Sequence, residues 1–276
     1  MSRRRYGPAN LLLELALVAA AAAFLFPLYV LVVISFKQRS EVRRSPLSLP
    51  TKLHLGNYET AWSSASLGHA LFSSTFIAVS SVVIVIVLGS LASYAIARRN
   101  DRLGYGMYLL FLLGLVLPFQ LALIPLYQLV RDLNLLGTYW AMIGLYAGTL
   151  LPFTIFLYTG FLRAMPRDYE EAALLDGATP LQAFAQIVFP LLRPITGTVF
   201  ILNALTVWND FLTPLLYLSG SGRETLPVAV STFVGQYVSR WELVFAGLVI
   251  AIAPILAIYF LLQRYIIRGF ASGLKG

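Results

Sequence analysis

The sequence contains no cysteine and only two histidines, and it carries few charges of either sign. Charged residues make up 12% of the 276 residues and hydrophobic residues 59%, whereas a typical soluble domain has about 25% charged residues. So few charges cannot cover a water-exposed surface of this size, and the composition therefore predicts a protein whose main solvent is lipid. The lack of cysteine excludes disulfides and thiolate metal sites, and the isolated His54 and His69 do not indicate a metal or catalytic centre.

A phosphate-binding loop is also missing from the sequence. No G-x-x-x-x-G-K-[ST] motif occurs, and Gly220–Arg223 is only a glycine and serine turn. No nucleophile with a neighbouring base is visible either. We therefore expect no enzymatic activity and no cofactor in this chain. The net charge of +8 does not indicate nucleic acid, because membrane proteins concentrate Lys and Arg in their cytoplasmic loops.

Long apolar runs separated by charges predict an all-α membrane protein with six transmembrane helices. A helix needs about 20 apolar residues to cross the hydrocarbon core, and each run is long enough. The predicted spans cover residues 12–36, 70–97, 103–130, 136–163, 191–217 and 243–265. No internal repeat, linker or block of charge divides the chain, so residues 1–276 are predicted to form a single transmembrane domain.

The distribution of positive charge predicts that both termini are cytoplasmic. With that orientation, the inner segments hold 12 of the 20 Lys and Arg residues and the outer segments hold eight. Five of those eight lie in the single outer loop 37–69. Arg3–Arg5 and the following alanines resemble a secretory signal. However, the apolar run continues to Phe36, beyond the roughly 7–15 residues of a signal core, so an uncleaved first helix is expected.

The segment 166–189, between the fourth and fifth spans, predicts two short helices joined by a tight turn. Gly177 fits the left-handed position that ends a helix. Thr179 then reads as the N-cap of the second helix, with Gln182 completing a capping box, and Pro190 is expected to stop that helix. A capped cytoplasmic hairpin with no further role would explain each of these residues locally.

Small residues on this hairpin point beyond a purely structural role, because they permit close approach to a partner. The pattern Glu171-Ala172-Ala173, Asp176-Gly177-Ala178, Ile187, Pro190 and Pro194 resembles the EAA loop of ABC-importer permeases. In that family the loop forms the coupling helices that sit in a cleft of the cytoplasmic ATPase. The resemblance implies that the ATPase-coupling residues are Glu170, Glu171, Ala172, Ala173, Asp176, Gly177 and Ala178.

Four other stretches resemble the maltose-type carbohydrate subfamily, and within it the MalG-type subunit. They are Gly56–Tyr58, Leu136–Trp140, Trp208–Phe211 and the tail Gln263–Gly276. The resemblance covers essentially the whole chain. It implies a permease subunit of a binding-protein-dependent importer. The implied cargo is a sugar, either an oligosaccharide or a disaccharide, which crosses the membrane by alternating access.

The same resemblance implies the partners and the location. The partners are a second homologous permease, which makes the permease pair a heterodimer, two cytoplasmic ATPase subunits that bind ATP, and an extracytoplasmic sugar-binding protein. The chain is then a multi-pass protein of a bacterial or archaeal cytoplasmic membrane. In this family the outer segment Tyr217–Trp241 touches the binding protein.

Polar residues in the fifth span allow two interpretations, and the sequence leaves both open. A carboxylate near the middle of the bilayer costs about 2.5–3.5 kcal/mol, so Asp210 should face a cavity, a partner or the outer interface. Asn203, Trp208, Asn209 and Asp210 could border the sugar path, since Trp stacks on pyranose rings and polar groups bind hydroxyls. Alternatively they mark the outer end of the span or tie two helices together.

Two alternative functions can be set beside a sugar permease. One is an ABC permease for another small polar solute. The other is a self-sufficient secondary transporter, which would usually show inverted repeats and paired intramembrane charges that this sequence lacks. The sequence does not indicate which sugar is carried.

Overall fold

The structure is a computed structural model that describes residues 8–234 and 240–273, and these residues are predominantly helical. Its helices, in chain order, are α1 (Pro8–Ser35), α2 (Arg39–Arg44), α3 (Gly56–Ser64), α4 (Leu67–Arg98), α5 (Arg102–Val116), α6 (Leu123–Asp132), α7 (Tyr139–Ala164), α8 (Asp168–Leu175), α9 (Pro180–Leu191), α10 (Arg193–Asn209), α11 (Leu212–Leu218), α12 (Leu226–Ser231) and α13 (Trp241–Gly273).

The chain divides into two compact units. One unit comprises Met1–Gly68 and Ala229–Ala253, and the other comprises His69–Val228 and Pro254–Gly276. The second unit contains the hairpin and the polar residues that the sequence singles out. The single domain inferred from the sequence stays a prediction.

Three described helices are individually long and apolar enough to cross a membrane, at Asn10–Ser35, Leu67–Arg98 and Tyr139–Ala164. Two pairs of helices meet the same criterion together, although each pair is bent. The described residues therefore provide three spans, or five if each bent pair forms one. Trp241–Ala257 is a shorter apolar helix. The count of six stays a prediction.

The third predicted span, residues 103–130, is bent and does not form one straight helix. Helix α5 ends at Val116, and a 3₁₀ turn follows over Phe119–Ala122 before α6. The axes before and after this break differ by 88°. Leu117 and Pro118 are both extended, as expected because a proline ring disfavours helical backbone at the residue before it.

The buried core of the second unit holds the second hairpin helix in place. Tyr158 and Leu162 of α7 are fully buried, and Phe184 and Val188 of α9 pack into the same cluster. The whole cluster is Val82, Ile86, Ala97, Tyr158, Leu162, Phe184, Val188, Leu192, Val199 and Ala204. Burial of a large apolar side chain stabilises by about 1.5–3 kcal/mol, so these contacts fix α9 against the long helices α4 and α7.

Candidate functional site

The predicted turn of the hairpin is present and is closed by backbone hydrogen bonds. Gly177 has a φ of +90°, which confirms the predicted left-handed position. The amide of Gly177 donates to the carbonyl of Leu174 at 3.1 Å, and the amide of Ala178 donates to that of Ala173 at 3.0 Å. This pair of bonds is the Schellman motif, which satisfies the last carbonyls of α8.

The start of the second hairpin helix also follows the sequence prediction. The Gln182 amide donates to Oγ1 of Thr179 at 3.3 Å, and the Thr179 amide donates to Oε1 of Gln182 at 2.8 Å. These two bonds form the predicted capping box. Because both bonds are local, four residues of sequence were enough to predict them.

The predicted stop of this helix at Pro190 is wrong by one residue. Residues Phe184–Val188 form a π-helical turn, and the Phe189 amide donates to the carbonyl of Phe184. Pro190 has no N–H and lies inside the last short helical turn, which ends at Leu191. The chain then bends by 75° into α10.

A buried ion pair anchors the first hairpin helix. Nε of Arg98 lies 2.6 Å from Oε1 of Glu170, and the two side chains are only 14% and 7% exposed. Arg98 is the last residue of α4, and its Nη1 also donates to the carbonyl of Leu162 in α7 at 2.9 Å. The pair therefore ties α8 to the ends of two long helices. Sequence reasoning missed Arg98, because nothing local relates residues 72 positions apart.

The seven predicted coupling residues fall on two faces of the hairpin. Glu170 and Ala173, one helical turn apart, are buried against the chain itself. The others face outward: Glu171, Ala172, Asp176 and Gly177 are exposed and Ala178 is half-buried. The small-residue face is thus smaller than expected, since Ala173 does not contribute to it.

Exposed apolar side chains extend the outer face. Leu175 is 88% exposed and Leu181 is 66% exposed, one on each side of the Gly177 turn. Leu175 lies one helical turn after Glu171 in α8 and directly precedes Asp176, and both acidic residues are exposed. A cluster of exposed leucines among acidic residues is typical of a surface that another protein covers.

A second ion pair lies beside the first one but is exposed. Nη2 of Arg99 lies 2.8 Å from Oδ2 of Asp101, and both side chains are about half exposed. Asp101 also caps α5, because its Oδ1 accepts from the amide of Gly104 at 2.9 Å. The hydrogen bond from Arg99 lowers the pKa of Asp101 to about 2.

The polar residues of the fifth predicted span have separate surroundings. Asn203 is buried, and its Nδ2 donates to Oγ1 of Thr154 in α7 at 2.9 Å. Trp208 is buried and lines an apolar hollow of about 200 Å³. Asn209 is exposed at the end of α10.

Asp210 breaks the fifth predicted span, residues 191–217, into α10 and α11. Its Oδ2 accepts from the hydroxyl of Tyr146 at 3.0 Å, and its Oδ1 accepts from the amide of Thr213 at 3.2 Å. The carboxylate thus links α7 to the start of α11. For Asn203 and Asp210 the contacts match the interpretation in which polar residues tie helices together.

The chain matches a family of transport proteins and is similar to known sugar permeases. Residues 85–272 match the family described as binding-protein-dependent transport system inner membrane component. The melibiose/raffinose/stachyose import permease protein MelC of Bacillus subtilis is 35% identical over 260 residues, which is 94% of each chain. The multiple sugar-binding transport system permease protein MsmG of Streptococcus mutans is 35% identical over 261 residues, 93% of this chain and 94% of that protein.

A solved structure shares the fold. The chain superposes on a chain in the crystal structure of a bacterial ABC transporter involved in the import of the acidic polysaccharide alginate, with a TM-score of 0.83. The match covers 94% of this chain and 98% of that chain at 20% sequence identity. The predicted all-α membrane fold is confirmed.

Proposed function

The chain belongs to the family of binding-protein-dependent transport system inner membrane components, and on that premise we propose that it carries sugar across the membrane in an ATP-driven importer. It is a multi-pass permease subunit of an ABC transporter. MelC and MsmG, which align along more than nine-tenths of their length, are both named for sugar transport. These names support an oligosaccharide or a disaccharide as the cargo.

The importer of this family works with a substrate-binding protein and an ATPase. We propose the full set to be a second homologous permease, two cytoplasmic ATPase subunits that bind ATP, and an extracytoplasmic sugar-binding protein. The sequence has no phosphate-binding loop, so the energy of ATP has to reach this chain through protein contacts.

The observation that carries the proposal is the two-faced hairpin. Its inner face is fixed by the Arg98–Glu170 pair and by the packing of Phe184. Its outer face presents Leu175 and the Gly177 turn to another molecule. When the ATPase subunits close on ATP, the outer face is displaced with them, and the inner face passes the displacement to α4 and α7.

Alternating access then requires each partner to prefer one state. The binding protein must bind the outward-facing state more tightly, because a ligand that binds both states equally shifts no equilibrium. Its proposed contact is the outer segment Tyr217–Trp241, of which residues 235–239 lie outside the described residues. For the sugar path, exposed Asn209 is the most accessible of the four candidates.

Deletion of the gene tests the function. The deletion strain, grown on single carbon sources, should lose growth on one sugar and lose uptake of that radiolabelled sugar. Re-expression of the chain with its partners should restore both. Uptake that persists after removal of every co-expressed ATPase would instead identify a self-sufficient transporter. Normal growth on all sugars with loss of another small solute would identify a different cargo.

The proposed orientation has its own test, because the chain lacks cysteine and single-cysteine variants are specific. Residues 1–7 and 274–276 lie outside the described residues, so the structure does not bear on the termini. In spheroplasts, Ser221→Cys should react with an impermeant maleimide, whereas Ser2→Cys should react only after lysis. Labelling of both residues from the same side would contradict cytoplasmic termini.

A further inference from the structure

A basic pocket next to the hairpin contains arginines that have no part in the function proposed above. It has a volume of about 650 Å³ and lies where α4 ends, α5 begins and α7 ends. Its charged lining residues are Arg98, Arg99, Asp101, Arg163 and Arg167. Four positive side chains against one negative side chain make this pocket a candidate for an anionic ligand.

Two of the four arginines are already neutralised within the chain. Arg98 pairs with Glu170 at 2.6 Å, and Arg99 pairs with Asp101 at 2.8 Å. The excess positive charge of the pocket therefore comes from Arg163 on α7 and from Arg167 on the segment after α7.

Arg163 and Arg167 have no carboxylate partner among the residues that the structure describes. The Arg163 guanidinium lies 4.5 Å from the centre of the Tyr108 ring, and Nη2 of Arg167 donates to Oδ1 of Asn100 at 3.1 Å. Both contacts orient the guanidinium without cancelling its charge. The pocket therefore holds two cations that no carboxylate of the described residues neutralises.

An apolar groove of about 700 Å³ continues from this pocket. The two share Ala164, Met165 and Pro166 in their walls. The groove follows α7 back to Phe156, a distance of about 12 Å at 1.5 Å per residue, with Ile195 of α10 on its other side. A ligand that fills both spaces needs an anionic head and a long apolar tail.

We propose that the pocket and the groove bind one anionic phospholipid, with its phosphate at Arg163 and Arg167 and one acyl chain beside Gly160. Basic pockets between transmembrane helices at the cytoplasmic face are suited to anionic lipid headgroups. The inference rests on the proposed function only in placing this end of α7 at the cytoplasmic face. Because Arg167 immediately precedes α8, a bound headgroup restrains the base of the hairpin.

The headgroup part of the site is tested with spin-labelled lipids. The full chain with its co-purified partner subunits is reconstituted in dioleoylphosphatidylcholine, and the immobilised fraction of labelled phosphatidylglycerol is compared with that of labelled phosphatidylcholine. At about 0.15 M salt, phosphatidylglycerol should be preferred, and the preference should weaken at about 0.5 M salt because Arg163 is exposed and its charge is screened. The variant Arg163→Gln/Arg167→Gln should lose about fivefold of this preference per arginine.

A matched control separates the site from general surface charge. Arg102→Gln/Arg193→Gln removes two exposed arginines that line neither space, so it should keep the preference. Equal binding of both lipids to the unmodified protein would overturn the proposal. A pocket variant that is indistinguishable from this control would also overturn it.

The groove part is tested with Gly160→Leu, which should occupy the acyl-chain space. A Cβ built at Gly160 meets no heavy atom within 4 Å, and the same holds for the control Gly144 on the same helix. Gly160→Leu should reduce the immobilised phosphatidylglycerol to the level of phosphatidylcholine, whereas Gly144→Leu should not. If Gly160→Leu has no effect, no acyl chain occupies the groove and the lipid proposal is wrong. If inorganic phosphate displaces the lipid, the site takes free phosphate and the lipid proposal is also wrong. Sugar uptake is not part of this assay, so its outcome is independent of the transport function.

Discussion

The hairpin α8–α9 and the segment around Asn203 and Asp210 both carry polar residues beside a bend, yet they use them in opposite ways. The hairpin exposes Glu171 and Asp176 at its surface. The second segment turns its polar groups toward α7, where Asn203 bonds Thr154 and Asp210 bonds Tyr146. The Asp210 carboxylate and Nδ2 of Asn203 are paired within the fold, and the fold explains these two groups, whereas Oδ1 of Asn203 is buried without a hydrogen-bond partner among the described residues. The exposed acidic residues of the hairpin, next to exposed apolar side chains, instead indicate a surface that a partner covers.

The same contrast runs through the hairpin itself. Ala172 and Ala173 are neighbours in sequence, but Ala172 is exposed and Ala173 is buried. Glu170 and Glu171 differ in the same way. The inner residues hold the hairpin, and the outer residues are the ones that we propose to contact the ATPase.

The largest effect on uptake that is not accompanied by a loss of stability is expected from Gly177→Leu, which alters only the outer face. A side chain in the left-handed region costs about 1–2 kcal/mol, too little to unfold the chain, and no heavy atom lies within 4 Å of a Cβ built there. The bulky side chain should hold the hairpin away from its partner. We expect normal abundance in the membrane, weaker capture of the ATPase in pull-downs, and uptake reduced by at least about tenfold, equivalent to 1.4 kcal/mol.

Gly106→Leu is the control for this prediction. Gly106 lies in α5, outside the hairpin, and a Cβ there meets no heavy atom within 4 Å. Gly104 is a poorer control, since its Cβ would lie 2.7 Å from Cβ of Arg99. Normal sugar uptake by Gly177→Leu with the ATPase still bound would show that the turn does not dock.

The next effect is a loss of both stability and uptake, and it is expected from Glu170→Ala, which alters the inner face of the hairpin. Removing one partner of a buried pair leaves the Arg98 charge uncompensated, which costs about 3–5 kcal/mol. Thermal unfolding in detergent should show this loss, and uptake should fall because the hairpin is no longer held. The double variant Arg98→Met/Glu170→Leu should recover much of the stability. A loss no larger than that of Asp101→Ala, in the exposed pair, would show that Glu170 is not an anchor.

Local features of the hairpin could be predicted from the sequence, and its long-range contacts could not. The positive φ of Gly177 and the Thr179–Gln182 box depend on neighbouring residues only. The direction of Glu170 depends on Arg98, which lies on another helix, so a single sequence does not reveal it. Pro118 allows a kink, but the apolar run continues through it and predicts one span, so the sequence does not reveal a break of 88°.

A smaller effect is expected from Thr154→Val, which removes the partner of buried Asn203. Interhelical hydrogen bonds in membrane proteins contribute on average about 0.6 kcal/mol, so stability should fall slightly. The KM for the sugar should not change, because the account assigns this pair to packing of α7 on α10. A raised KM with unchanged stability would place Asn203 in the sugar path. Asn209→Ala, at the exposed end of α10, is the comparison variant.

The smallest effect is expected from the exposed pair, and it depends on pH. The pKa of Asp101 is about 2 in the folded chain, below its ordinary value of 3.8. A lowered folded-state pKa contributes stability above the unfolded value, and this contribution is lost as pH falls from 3.8 through about 2. Asp101→Asn should therefore melt slightly earlier than the unmodified chain at neutral pH. The gap should shrink as the pH approaches 2, and a gap that widens in acid would contradict the assignment.

Coupling to ATP, as proposed, depends on the hairpin having one face for the ATPase and one for its own chain. Site-directed cross-linking tests this most directly, because the sequence contains no cysteine and each introduced thiol is unique. Ala172→Cys and Ala173→Cys would each be expressed with the partner subunits and treated with a short thiol-to-amine cross-linker. Ala172→Cys should join the ATPase subunit and Ala173→Cys should not. Equal cross-linking from both positions, or none from Ala172→Cys in an assembled and active complex, would contradict the two-faced hairpin.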